Sequence, residues 1–395
     1  MASNGICDRV AIVGMGCTSF GEHWDKGVNE MLVESSTEAL ESAGISQDDI
    51  DAYWLGTMGN LSGLTLSEPL KIQYKPVTHV ENFCATGSEA LRNAAYAVAS
   101  GAYDCVMAIG VEKLKDSGYS GLVGSGATVT DGAVPTTTAP AKFSMLAPAY
   151  YEKYGLDPEK GREVLSRIAH KNHANGAKNP KAQFQKEVSM EKINASPKVA
   201  GSLGIMDCSG VSDGSAAAIV VRAEDAHKYT DKPMYIKALS FIAGPAEGPL
   251  SQEYDFTTFP EVVSSASDAY KQAGVNNPRD EISMAEVHDC FTPTELVLYE
   301  DLGFSERGQG WQDVLDGTFE LDGKLPVNPD GGLKSFGHPI GASGLRMQYE
   351  MWLQLRGEAG ERQIDSPKLG LTHNLGGQPG RCVSFVSIVG SEQST

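Results

Sequence analysis

The strongest constraint on the fold is an alternation of short apolar or β-branched runs with longer helical patterns, which begins near the N-terminus and restarts after Pro233. Such alternation marks an α/β sheet covered on both faces. It predicts strands over residues 9–13, 52–55, 77–81, 105–109 and 217–221, with helices over 27–43 and 85–100. After Pro233 it predicts strands over 234–238, 284–289, 369–373 and 382–389, and helices over 260–273, from Pro293, and over 340–355. The segments TGSEALRNAAYAVASG and GASGLRMQYEMWLQLRG both open with small residues, pass through Leu-Arg and close at Gly. The chain therefore reads as two related halves, and 395 residues suit a duplicated unit. Residues 112–202 interrupt the first half (1–111 with 203–230), and the second half is 231–395. A long interruption with little sheet pattern is usually functional, and this one is read as a cap over a site.

Charge narrows the partners. With 51 acidic against 32 basic residues the formal charge is −19, which disfavours nucleic acid and anionic membranes. Residues 159–198 run the other way, with nine Lys/Arg against four Asp/Glu, so the remainder carries −24. Such a run is either a solvated basic face or a site for a small phosphate-rich ligand. No apolar stretch approaches the ~18 residues of a membrane span. The seven cysteines stand singly without a C-x-x-C, against a zinc site or disulfide framework and in keeping with a reducing compartment. The N-terminal residues lack a charged-then-apolar signal and SEQST is not a peroxisomal address, so a cytoplasmic protein is expected.

Four segments can carry chemistry. In ENFCATGSEAL, Cys84 precedes a predicted helix whose free N–H groups and dipole would favour thiolate; it is a nucleophile or a packed small hydrophobe. In AEVHDCFTPTEL, His288 and Cys290 stand two apart at a predicted strand end, on one face by alternation. There an imidazole can donate to a carbonyl oxygen and a thiol can exchange a proton, or both can be structural. In GGLKSFGHPIGASG, glycines surround His338-Pro339, and a rigid turn at a helix start suits His338 as a base. In LTHNLGGQPGRC, His373 and Asn374 precede Gly376 and Gly377, whose turn is either an oxyanion hole or an ordinary tight turn. Tyr119, Phe143, Met145, Tyr150 and Tyr151 in the interruption read as core, with the lining of a bulky pocket as the alternative.

In order and spacing these segments resemble the thiolase superfamily across nearly the whole chain. HDCF with KNHANGAKNPKAQF looks like the sterol-carrier-type and archaeal-type branch, whereas other members carry NEAF. The resemblance implies two βαβαβαββ halves in five αβαβα layers with an inserted cap. It makes Cys84 the acyl-accepting nucleophile and His338 its base, with His288 in the place of the NEAF asparagine. His288 and His338 would then bind the thioester oxygen of the enolate, and the N–H groups of Cys84 and Gly376 would form a second oxyanion hole. Asn374 stands where the common pattern has its acid/base cysteine, which moves that role to Cys290, with Cys382 a weaker substitute. The implied reaction is CoA-dependent cleavage of a 3-oxoacyl-CoA, or the reverse Claisen condensation, with coenzyme A as substrate and no metal or redox cofactor. The substrates implied are acetoacetyl-CoA, branched or sterol side chains, or aryl compounds such as 2-benzoylsuccinyl-CoA. A homodimer or higher oligomer and a small OB-fold/zinc-ribbon partner are further implications. The basic segment, with Lys160, Arg162, Arg167, Lys171, Lys178 and Lys181, would favour the approach of CoA phosphates. The alternatives are a decarboxylating ketosynthase-like enzyme, or a subunit inactive without its partner.

Overall fold

The computed structural model describes residues 5–59, 62–116, 138–248 and 251–394. The first half runs β1 (Val10–Cys17), α1 (Val28–Ala43), β2 (Ala52–Gly56), a 3-10 turn at Gly63–Leu66, β3 (Val77–Val80), α2 (Thr86–Ala99) and β4 (Cys105–Glu112). Four helices follow, α3 (Ala139–Phe143), α4 (Leu146–Tyr154), α5 (Pro158–Ala177) and α6 (Met190–Asn194), with a small ribbon of β5 (Lys198–Ala200) and β6 (Leu203–Gly204). Strand β7 (Gly214–Arg222) completes this half. The second half comprises β8 (Met234–Ala243), α7 (Pro260–Ala273), α8 (Pro278–Glu281), β9 (Met284–Glu286), α9 (Thr292–Asp301), α10 (Gly310–Leu315), α11 (Gly332–Ser335), α12 (Ser343–Arg356), β10 (Leu369–Gln378) and β11 (Arg381–Gly390).

The strand order β3-β2-β4-β7-β1-β8-β11-β10-β9 exposes the duplication. Outward from the β1/β8 seam each half repeats the same pairing: β1 with β7 and β7 with β4 antiparallel, then β4 with β2 parallel, mirrored by β8 with β11, β11 with β10, and β10 with β9. Strand β3 extends the first series in parallel, and its counterpart is a parallel bridge between Ala285 and Val327. Every residue of β1, β2 and β4 is buried, as expected of strands covered on both faces. Helix α1 covers one face of β1 and β7, and α7 covers β8 and β11. Helices α2 and α12 pack against each other, α2 on β4, β2 and β7 and α12 on β10 and β7. The βαβαβαββ order implied by the resemblance has a helix between β2 and β3, where the described residues hold only the 3-10 turn.

The α2/α12 crossing explains part of the glycine content. A Cβ on Gly344 would lie 2.2 Å from Ser88 Oγ, 2.5 Å from Ser88 N and 2.7 Å from Asn374 Oδ1. Both helix starts meet there, beside the two catalytic-candidate loops that precede them. Among the described residues, no helix is long and apolar enough to cross a membrane.

Candidate active site

Cys84 lies in the loop between β3 and α2. Asn82 N–H donates to Thr86 Oγ1 at 2.9 Å, Phe83 N–H to Glu81 Oε1 at 2.6 Å, and Ala85 N–H to Asn82 O at 3.1 Å. These bonds hold Phe83 at φ 51°, uncommon for a bulky residue and a mark of stored strain beside a reactive group. The expected thiolate is corrected here. Helix α2 starts only at Thr86, and burial, reinforced by the Glu112 carboxylate, pushes the Cys84 thiol up to about 12. Desolvation outweighs the dipole, and the resting group is a thiol.

His338 also differs from its expected setting. The helix following it begins at Ser343, so its imidazole is placed by the preceding loop. Its backbone N–H donates to Ser212 Oγ at 3.0 Å, and its Nδ1 lies 2.7 Å from Ser343 Oγ. Ser343 donates to Pro339 O at 2.9 Å, so its oxygen is left to accept from the Nδ1–H. This assigns the tautomer and leaves Nε2 with a free lone pair; Nε2 has no partner among the described residues. Burial and the Arg346 cation hold this imidazole down to about 3.

The strand carrying His288 ends at Glu286, three residues short of its expected length. Val287 N–H is taken by Asn328 Oδ1 at 2.8 Å, which removes it from the ladder. Alternation therefore does not place His288 and Cys290, yet both line one cavity of about 890 Å³ with Cys84 and His338. The His288 and His338 rings lie edge to face, 5.4 Å between centroids. The Cys84 sulfur and one nitrogen of each ring fall within 4.8 Å of one another. Burial, with His338, His373 and Arg346 nearby, holds His288 well below the ordinary histidine range. Burial and nearby Cys84 push the Cys290 thiol up; its Sγ is 3.8 Å from Thr294 Oγ1. One thiol and two imidazoles are also a set that can bind a soft cation, although a metal there would occupy the sulfur.

Gly376 is within β10, paired with Val383, rather than in a turn. It packs against Asn82 O and Phe83 beside the Cys84 loop, while Gly377 lines the cavity. Asn374 is buried and accepts from Ser88 Oγ at 2.5 Å. Cys382, on β11, lies beside Glu261 and is absent from the cavity wall. Ala139, Phe143, Val188 and Val199 line the cavity from the interrupting segment, as a cap would. Of the described residues among those read as core or pocket lining, Phe143 belongs to the core and also to the cavity wall, Tyr150 is buried on Glu300, Tyr151 packs against the core, and Met145 is half exposed. Tyr119 lies outside the described residues.

Five cations of the basic run are ion-paired. Lys160 pairs with Glu163, Arg162 with Asp207, Arg167 with Glu320, Lys171 with Glu295 and Lys181 with Glu38. Lys178 is not in the cavity wall; Lys115, Lys186 and Lys334 are.

Sequence reasoning missed the groups that hold the site together. Asp289 accepts from Asn172 Nδ2 at 2.8 Å, Leu333 N–H at 2.6 Å and Lys334 N–H at 3.0 Å. One carboxylate thereby joins the KNH, HDCF and GGLK segments. Gly332, at φ 63°, leaves room for it, since a Cβ there would lie 2.4 Å from Asp289 Oδ2. Glu112 accepts from Met58 N–H at 3.2 Å and Gly341 N–H at 2.9 Å, tying the end of β4 to the His338 loop.

A neutral thiol beside a neutral imidazole has a measurable consequence. Iodoacetamide alkylation of Cys84 in the ligand-free enzyme is expected to rise about tenfold per pH unit between pH 6 and 9, because the thiolate fraction grows while pH remains below the thiol's pKa. A rate already flat from pH 6 would reveal a preformed ion pair.

Residues 10–224 match the family described as thiolase, N-terminal domain, and residues 246–388 that described as thiolase C-terminal domain-like. An acetyl-CoA acetyltransferase of Methanothermobacter thermautotrophicus is 40% identical over 382 residues, covering 94% of this chain and 97% of that protein. Sterol carrier protein 2 of Homo sapiens is 34% identical over 391 residues, covering 93% of this chain and 70% of that protein. Among solved structures, the Ltp2-ChsH2(DUF35) aldolase superposes with a TM-score of 0.84 at 26% identity, covering 99% of this chain and 100% of that one.

Proposed function

The chain belongs to the thiolase family and is an acyl-CoA C-acyltransferase, and from that premise we propose that Cys84, His338, His288 and Cys290 carry its two half-reactions. In cleavage, His338 Nε2 takes the Cys84 proton and the sulfur attacks the 3-oxo carbon of a 3-oxoacyl-CoA. The C2–C3 bond breaks, leaving the acyl group on Cys84 and an enolate on the departing CoA thioester. The His288 and His338 ring N–H groups stabilise the enolate oxygen, and Cys290 protonates its carbon. The Cys290 thiolate then deprotonates incoming CoA, whose sulfur takes the acyl group; Cys84 leaves and recovers its proton from His338. The reverse sequence is a Claisen condensation.

The observation that carries this reading is the convergence of two buried neutral imidazoles and two thiols in one cavity. Low dielectric makes such groups effective toward charge that develops only during reaction. The N–H groups of Cys84 and Gly376 are proposed to bind the oxyanion at the acylated sulfur. Coenzyme A enters as substrate, and no resident metal or redox group has a step in the scheme. Because the neighbour at 26% identity is an assembly of two components, a small second subunit of the OB-fold/zinc-ribbon kind is proposed here too.

The test is a CoA-dependent thiolysis screen over short, branched and aromatic 3-oxoacyl-CoAs, with the chain alone and with its co-expressed genomic neighbours. Cleavage to two acyl-CoAs is expected, and full activity of the chain alone would remove the partner. Release of CO2 from a malonyl thioester without thiolysis would replace this reading by the decarboxylating one.

A further inference from the structure

The cavity wall contains a second polar cluster that acyl transfer leaves unused. Lys334, on α11, is 2% exposed and lines the cavity together with His173, which is 3% exposed. Lys334 Nζ lies 3.2 Å from His173 Nε2, and among the described residues the ammonium forms no ion pair. Lys171, by contrast, is just as buried but meets Glu295 at 2.6 Å. Burial holds the Lys334 pKa below the ordinary lysine value, and the acids that oppose this, Asp289 and Asp207, are committed elsewhere. Asp207 takes a two-pronged bond from Arg162 and one from Thr292, while Asp289 accepts from Asn172 and two backbone N–H groups.

His173 completes the arrangement. Burial and the Lys334 charge hold it down to about 3, so it is neutral. With Nε2 accepting from the ammonium, its proton sits on Nδ1, a buried atom without a partner among the described residues. The Lys334 ammonium, on the Nε2 edge of this ring, is the group that faces the cavity, and a buried charge without a counter-charge is costly. An anionic oxygen on the cavity side of Lys334 would satisfy the ammonium.

We propose that Lys334, positioned by His173, is the subsite for a carboxylate on the acyl part of the substrate, which directs the enzyme to acidic 3-oxoacyl-CoA thioesters. The inference rests on the thiolase reading and names its substrate class. It also gives the KNH and GGLK segments a shared task, since Asp289 fixes both through Asn172 and the Lys334 backbone.

The experiment measures binding, so that turnover is not needed. In the Cys84→Ala full-length enzyme, dissociation constants are compared for 3-oxoadipyl-CoA and 3-oxohexanoyl-CoA, which share a six-carbon acyl chain and differ in a terminal carboxylate. The acid is expected to bind about tenfold to a hundredfold tighter, the range of a charge-assisted hydrogen bond. Adding Lys334→Met should bring the ratio to within about twofold, and His173→Phe should lower it partway, a second variant should Lys334→Met fail to fold. Equal affinities in the Cys84→Ala parent, or a preference that survives both substitutions, would overturn the subsite. A carboxylate preference in binding, joined to no thiolysis by the enzyme with Cys84 intact, would uphold the subsite while overturning the proposed catalytic roles.

Discussion

Replacing Cys84 by Ala is expected to eliminate the acyl-enzyme and lower thiolysis by at least about 10⁴-fold, since removing a covalent nucleophile leaves only binding and oxyanion stabilisation. Wild-type enzyme incubated with a 3-oxoacyl-CoA and no free CoA should gain the mass of one acyl group on the peptide containing Cys84. The variant should gain none. Its melting temperature should stay within a few degrees of wild type, because the substitution removes one sulfur from a cavity wall and no hydrogen bond of the Asn82–Thr86 loop. The same experiment separates acyl transfer from aldol chemistry, which is relevant because the superposed neighbour at 26% identity is an aldolase. Aldol cleavage forms no acyl-thioester on the protein, so a Cys84→Ala enzyme that still cleaved a carbon–carbon bond at more than about a hundredth of the wild-type rate would remove Cys84 from the mechanism.

The resting state proposed for this site differs from the usual activated cysteine. Here the thiol is pushed up to about 12 and the base is held down to about 3, so both stay neutral until substrate arrives. The same burial that disfavours the separated ion pair magnifies the attraction between the imidazolium and the oxyanion once attack begins. Ser343 adds direction by holding the Nδ1 proton, so that Nε2 is the atom able to receive one.

What the sequence discloses follows from the range of the interactions. Buried strands and amphipathic helices have local periodicity, so β4 and α7 start at the predicted residues, and α2 differs by one at each end. The glycines around His338 were legible as close packing because no side chain can replace them where Gly344 meets Ser88. Asp289 was not legible as an anchor, since its partners Asn172 and Leu333 lie 117 and 44 residues away in the chain. The same limit applies to charge: Lys181 looks free until the fold brings Glu38, 143 residues distant, to its ammonium. Strand β9 was overextended because apolar alternation continues through Val287, while the hydrogen bond that ends the ladder comes from Asn328. Long-range polar contacts leave no periodic mark in the sequence, and this site depends on them.

Replacing Cys290 by Ala should separate the two steps that replacing Cys84 removes together. With CoA withheld, the variant should still acylate Cys84, because attack needs only the thiol, His338 and the oxyanion donors. Exchange of the acetyl-CoA methyl protons with deuterated water, followed by mass spectrometry, should fall by about 10²–10⁴-fold, the usual contribution of a positioned acid/base. Transfer of the acyl group to CoA should slow with it, so that acyl-enzyme accumulates during turnover. Cys382→Ala is the companion measurement, because Cys382 sits on β11 against Glu261 and outside the cavity; exchange at the wild-type rate is expected. Wild-type exchange in Cys290→Ala would assign the proton to Cys382 or to water, and loss in Cys382→Ala alone would select the former. The burial that raises the Cys290 thiol keeps it protonated before the carbon–carbon bond breaks. The enolate that then forms is a far stronger base, so the high pKa lets Cys290 hold its proton until the carbanion can take it.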